Sequence, residues 1–252
     1  MKAYLFIFFV GYIIPYQAQI SLNIHAVDSI INPKTGNDVL HNMHQYYKNA
    51  PCKRYTFSQK NNHYRNDSII RTSEWHEYIE FPDKFRINFE DSIHGNFVIF
   101  KNDSAYRYKN NELKKTTRNA NTLLLLLGGM YYRSLSDVIE RLQKEGYNTS
   151  LLSLQKRKKT TYFVIGALPG DSLSNQIWVH KKKYRVERII EKIDANHTMD
   201  MTFDSFQKLG EAFTETAVTF KNNGKLEQRE LYYNIKIANN FEDEIFNPKV
   251  KK

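Results

Sequence analysis

The chain has 252 residues, 41% of them hydrophobic, which suffices for one large β-rich domain with its own core, and a single domain is expected. Lys and Arg outnumber Asp and Glu by 37 to 27, a net charge of +10 that favours an anionic surface as partner; for an exported chain that surface is lipid headgroups, and no nucleic acid is expected. Cys52 is the only cysteine, so an intrachain disulfide is excluded and stability is left to core burial.

The first residues, MKAYLFIFFVGYIIPYQAQI, place basic Lys2 before an apolar run from Tyr4 to Ile14, a break at Pro15 and then Ala18-Gln19. This order reads as a secretory signal peptide over residues 1–19, with the mature domain over 20–252. An uncleaved N-terminal anchor is the rival reading, although the run is shorter than the roughly 20 apolar residues that a membrane span takes. Cys52 lies too far along the chain to be a lipidated cysteine following a signal peptide, so no lipid anchor is expected.

Beyond a turn at Pro33 to Asn37, Asn37 or Asp38 can cap a helix in which Val39, Leu40, Met43, Tyr46 and Tyr47 share one face. His41 and His44 on it could offer two metal ligands, but no third stands at a recognisable spacing and no metal is expected. Tyr55 to Gln59 reads as a first strand and Asn61 to Asp67 as a polar hairpin tip. From Ser68 to Tyr108 apolar and polar residues alternate between turn signals at Pro82, His94-Gly95 and Asn102-Asp103. Trp75, Ile79 and Phe81 fall on one face of the first run, and Phe85, Ile87 and Phe89 oppose Lys84, Arg86 and Asn88 in the next.

Leu123, Leu124, Leu125, Leu126 and Leu127 follow without a polar residue between them, so the segment must be covered on all sides or cover something itself. Ser136 can cap a further helix, Asp137 to Glu145, that stops at Gly146. Together these make a helical lid insertion over about 119–156, or else ordinary core helices. Strands return over Thr161–Ala167, Asn175–His180, Tyr184–Asp194, Thr198–Leu209, Thr214–Lys221 and Lys225–Ile237. Met199, Met201 and Phe203 share a face, a soft wall suited to a flexible apolar ligand or to core filling. The basic runs Lys156 to Lys159 and Lys181 to Lys183 read as solvated turns beside strands.

No catalytic constellation is legible. The chain has no phosphate-binding glycine loop, no Gly-x-Ser-x-Gly elbow and no His-Glu-x-x-His helix, and the carboxylates Glu242, Asp243 and Glu244 sit in a segment that reads as solvated. A non-enzymatic protein without cofactor is expected.

Several stretches resemble the LolA-like periplasmic lipoprotein carriers. They are the opening helix before Phe57-Ser58-Gln59, the turn Phe81-Pro82-Asp83-Lys84-Phe85-Arg86 between strands, Asp103-Ser104 to Tyr108, Gly170 to Val186, and the ending Phe246-Asn247-Pro248. The resemblance implies a mainly β, α+β fold: a curved antiparallel sheet or unclosed β-barrel covered by helices. It also implies a monomer in the periplasm, with lipid or lipoprotein acyl chains in an apolar cavity and a membrane or envelope protein as partner. The residues expected to line that cavity are Phe81, Phe85, Arg86, Ile87, Phe89, the five leucines, Met199, Met201 and Phe203. Phe81 stands where the carriers place a lid-gating Arg, and Arg86 is the nearest positive candidate. A sensor or interaction module of the same fold, and a structural protein with a filled barrel, remain as alternatives.

Overall fold

The computed structural model describes residues 30, 32–49, 52–90 and 95–248. The segment read as a signal peptide and the turn residue His94 lie outside the described residues.

The alternating stretches form one antiparallel sheet built from two meanders. The first contains β1 (Arg54–Arg65), β2 (Ser68–Glu80), β3 (Lys84–Phe89), β4 (Phe97–Lys101), β5 (Ser104–Lys109) and β6 (Glu112–Arg118). Its hairpins close on Asn66-Asp67, Asn102-Asp103 and Asn110-Asn111, all with φ between 50° and 61°. Two consecutive left-handed residues match the right-handed twist of the flanking strands, and Asn and Asp tolerate that conformation. The second meander runs through β7 (Leu152–Arg157), β8 (Thr160–Ile165), β9 (Gln176–His180), β10 (Val186–Lys192) and β11 (Thr198–Asp204). A separate small hairpin, β12 (Gln207–Leu209) and β13 (Ala212–Thr214), precedes β14 (Ala217–Asn222) and β15 (Lys225–Ile237).

The large sheet has 13 strands in the order β6-β5-β4-β3-β2-β1-β15-β14-β11-β10-β9-β8-β7. Pairing of β1 with β15 joins the two meanders at the centre, and the sheet does not close into a barrel. Its edges are β6 and β7, yet these are joined in sequence by a single helical segment. That segment contains α2 (Thr122–Leu126), a 3-10 turn (Gly129–Tyr132) and α3 (Leu135–Lys144). It touches both halves of the sheet. Arg141 forms a double hydrogen bond with Asp103 at the β4–β5 turn, and Asn175, the residue before β9, donates to the Glu145 carbonyl.

The opening helix is α1 (Gly36–Tyr47), capped by Thr35 rather than by Asn37 or Asp38. The Thr35 hydroxyl accepts from the Asp38 amide and the Asp38 carboxylate accepts from the Thr35 amide, a reciprocal capping box. At Gly36 a Cβ would overlap Ile165 and the Thr149 carbonyl, so glycine lets the helix start against β8. Val39, Leu40 and Met43 then pack with Leu126, Met130, Val138 and Leu142 onto Phe163, Ile165, Ile177 and Ile189. This main core lies between the helices and the second meander.

Several elements differ from the sequence reading. β1 runs to Arg65 because β2 pairs along its whole length and β15 pairs as far as His63, whatever the polarity of Lys60 to Arg65. Residues 152–156, read as part of the lid, are strand β7. α3 is capped by Ser134, whose hydroxyl accepts from the Asp137 amide, two residues before the expected Ser136. The run Thr198–Leu209 is broken after Asp204. The C-terminal stretch forms a 3-10 turn, Asp243–Phe246, not a strand; Phe246 is buried beside Phe241, which packs on Tyr78. Lys156 to Lys159 sit on edge strand β7 and its turn, where lysine discourages further pairing.

Leu126, 2% exposed, is at the centre of the main core. Leu126→Ala is expected to cost about 2–5 kcal/mol in denaturant unfolding. Leu168→Ala, at a side chain 55% exposed, should stay within about 0.5 kcal/mol.

Candidate functional site

The helices cover the second meander but leave room against the first. Between them is a cavity of about 560 Å³, within the range of roughly 300–1,000 Å³ typical of small-molecule sites. One wall is the inner face of β1 to β4, with Tyr55, Phe57, Ile79, Phe85, Ile87 and Phe100; the other is Met201, Phe203, Val218, Phe220 and Tyr232 of β11, β14 and β15. Asn119 to Leu124 and Leu127 form the rim and cover. α2 starts where the Asn121 side chain accepts from the Leu124 amide, which fixes the direction in which each leucine points.

The five leucines therefore divide. Leu125 and Leu126 belong to the main core, whereas Leu123, Leu124 and Leu127 line the cavity, Leu123 and Leu127 while also packing against that core. Phe81, Phe85, Ile87, Met201 and Phe203 line the cavity as the alternation implies. Phe89 instead packs edge-on against Trp75, with ring centroids 5.1 Å apart, and Met199 packs against the main core. Arg86 is on the opposite face of β3. Its guanidinium stacks over Phe97 at 4.0 Å and donates to the Asn88 side chain and the Ile245 carbonyl. It cannot gate the cavity from there. Phe81 holds the cover by apolar contact: its ring stacks on Tyr132, and a Cβ at Gly128 would overlap it.

Three carboxyl groups, which sequence reasoning missed, sit in this apolar wall. Glu77, Glu215 and Glu230 line the cavity and are only 4%, 6% and 6% exposed. Glu77 lies on β2 between Trp75 and Ile79 at a period of two, so the face read as Trp75, Ile79 and Phe81 contains a carboxylate. Glu230 alternates in the same way with Gln228 and Tyr232. Glu230 accepts from the Gln228 amide at 2.6 Å and the Tyr232 hydroxyl at 2.7 Å, and Gln228 also donates to Asn61. The Thr214 hydroxyl donates to Glu215 at 3.5 Å. Glu77 has no hydrogen-bond partner among the described residues.

Burial pushes the carboxyl groups of Glu215 and Glu230 up to about 7. Burial, and then the negative charges of Glu230 and Glu215, holds Glu77 well above the usual carboxylate range. Outside this cluster, burial pushes the Cys52 thiol up, which disfavours the nucleophilic thiolate.

Because these carboxyl groups take up protons on folding, the stability linked to them is complete below the ordinary carboxylate range, and it is lost as pH rises through about 7. Glu77→Gln keeps the shape and removes the charge. It should stabilise the protein at pH 8 by about 1–3 kcal/mol, the cost of an uncompensated buried group, and have little effect at pH 5. Thermal unfolding at the two pH values checks this; an equal shift at both would contradict it.

No known family profile matches the chain, and no curated protein matches it by sequence. Solved structures do match it by fold. A DUF1329 family protein from Desulfovibrio piger superposes with a TM-score of 0.59 at 14% identity, covering 84% of this chain and 95% of its own. A LolA superfamily protein from Nitrosomonas europaea gives 0.57 at 10% identity, covering 85% and 98%. A domain from Vibrio parahaemolyticus, described as an outer membrane lipoprotein-sorting protein, gives 0.59 at 12% identity, covering 84% and 96%. With one large antiparallel sheet left open and helices across it, the chain has a divergent form of the LolA-like fold.

Proposed function

We propose that this protein is an exported, monomeric binding protein of the periplasm that holds lipid or lipoprotein acyl chains in its cavity and exchanges them with a membrane or envelope protein. The cavity walls are the observation that supports this reading most. Phe57, Phe85, Ile87 and Phe100 of the first meander and Met201, Phe203 and Phe220 from β11 and β14 line one open volume. Apolar side chains that line a void forfeit contacts they would make in a filled core, and a flexible chain restores them.

Export rests on the N-terminal Lys2, apolar run and Ala18-Gln19. The likeness to a lipoprotein-sorting domain agrees with a carrier role. A structural protein with a filled barrel fits less well, because a volume of about 560 Å³ is far more than core packing leaves.

Uptake of pyrenyl-dodecanol, a neutral chain with a fluorescent end, tests the reading. The protein should take it up, and Leu123→Asp, at a half-buried position on the cavity, should reduce uptake sharply by placing a charge against the chain while the sheet still folds. Leu126→Asp, in the main core, should unfold the domain at a cost above about 4 kcal/mol. Absence of uptake by the unsubstituted protein would end the acyl-binding reading.

A further inference from the structure

The cavity is acidic in a protein whose net charge is +10. Its lining contains Glu77, Glu145, Glu191, Glu215 and Glu230 against one cation, Arg118, which pairs with Glu145 at 3.1 Å. Glu191 at the rim accepts the Tyr147 hydroxyl at 2.7 Å. Among the described residues the three buried carboxyl groups have no cationic partner, although Glu230 accepts from Gln228 and Tyr232 and Glu215 from Thr214. No lysine, arginine or histidine acts on Glu77 or Glu215, and the groups that act on Glu77 are Glu230 and Glu215. Glu77 itself is 96% buried, faces the cavity and lacks a hydrogen-bond partner among the described residues. A carboxyl group in that position is open to a donor that enters through the cavity.

We propose that the ligand enters with a protonated amine pointing inward onto Glu77, Glu215 and Glu230, so that the preferred substrate class is a long-chain amphiphile with a cationic amine head. The proposal rests on the acyl-binding reading above and narrows it. An ammonium group brings a positive charge and up to three N–H donors to a cavity whose buried polar groups include carboxyl groups, where a hydroxyl brings one donor and no charge. A fatty acid carboxylate would add a further negative charge beside groups whose charges already disfavour one another's ionisation. A bare metal ion is a poor match, since among the described residues no group of three or more His, Cys, Asp or Glu is arranged to hold one. The apolar walls then take the chain, and the amine is desolvated only because its partners are already buried.

Displacement of pyrenyl-dodecanol from the full chain by dodecylamine, dodecanol and dodecanoate at neutral pH tests the proposal. Dodecylamine should bind tighter than dodecanol by about tenfold or more, and dodecanoate should bind weakest. Glu77→Gln should reduce the amine-to-alcohol ratio by about tenfold, with thermal unfolding confirming that the variant is folded. The overall positive charge works against this order, so an amine preference cannot arise from the surface field. Equal affinities, a preference for dodecanoate, or an amine preference unchanged in both Glu77→Gln and Glu230→Gln would overturn the proposal and leave acyl binding standing. Failure of the unsubstituted protein to take up the probe at all would instead remove the acyl-binding reading, and this proposal with it.

Discussion

Pairing of β1 with β15 is the contact on which the rest of the molecule depends. It runs from Tyr55 opposite Ile237 to His63 opposite Gln228, with a register shift between Thr56 and Ser58. Without it the chain would be two meanders, each with an apolar face and nothing opposite it. With it, thirteen strands form one surface whose two edges are tied by a single helical segment, so the sheet must curl around what that segment carries. The same register brings Gln59 and Asn61 of β1 beside Tyr232 and Glu230 of β15, and hence creates the polar floor of an apolar cavity.

The helical segment fills this curl unevenly, and the uneven filling produces the candidate site. Leu125, Leu126, Met130, Val138 and Leu142 face the second meander and complete a dry core there. Leu123 and Leu124 of the same short helix, with its C-cap Leu127, line the open volume, Leu123 and Leu127 at its border with that core. A run of leucine with no polar side is thus explained by two apolar surroundings, one permanent and one available to a ligand. The carboxyl groups opposite cost stability at neutral pH. A protein that held no ligand would gain by replacing Glu77 with an apolar side chain of similar volume, since removing buried uncompensated charge is commonly neutral or stabilising.

Much of the sheet was legible because one face is buried and the other wet. Phe85 and Ile87 inward against Lys84, Arg86 and Asn88, and Met201 and Phe203 inward against Asp200 and Thr202, follow from a period of two alone. What was not legible has specific causes. β6, with the sequence ELKKTTR, is an edge strand with little burial, so its pattern resembles a loop. The second half of β1 is polar on both faces and is strand only because β2 and β15 pair with it. In the site, Glu77 could have been found by asking which residue stands between Trp75 and Ile79 on the inward face. Glu215 could not, because it follows the short β13 in a stretch without periodicity, and only the fold brings it to the cavity. The five leucines have no internal pattern, so which of them line the cavity depends on the cap that Asn121 provides.

The account's central claim is that the open volume between the two meanders belongs to an acyl chain. Native mass spectrometry of the protein, purified without detergent from cells that express the full chain, tests it most directly. The account predicts a population heavier than the polypeptide by the mass of an acyl-chain lipid, identified by fragmenting the released ligand. Bare polypeptide mass throughout, unchanged after incubation with acyl lipids, would contradict it.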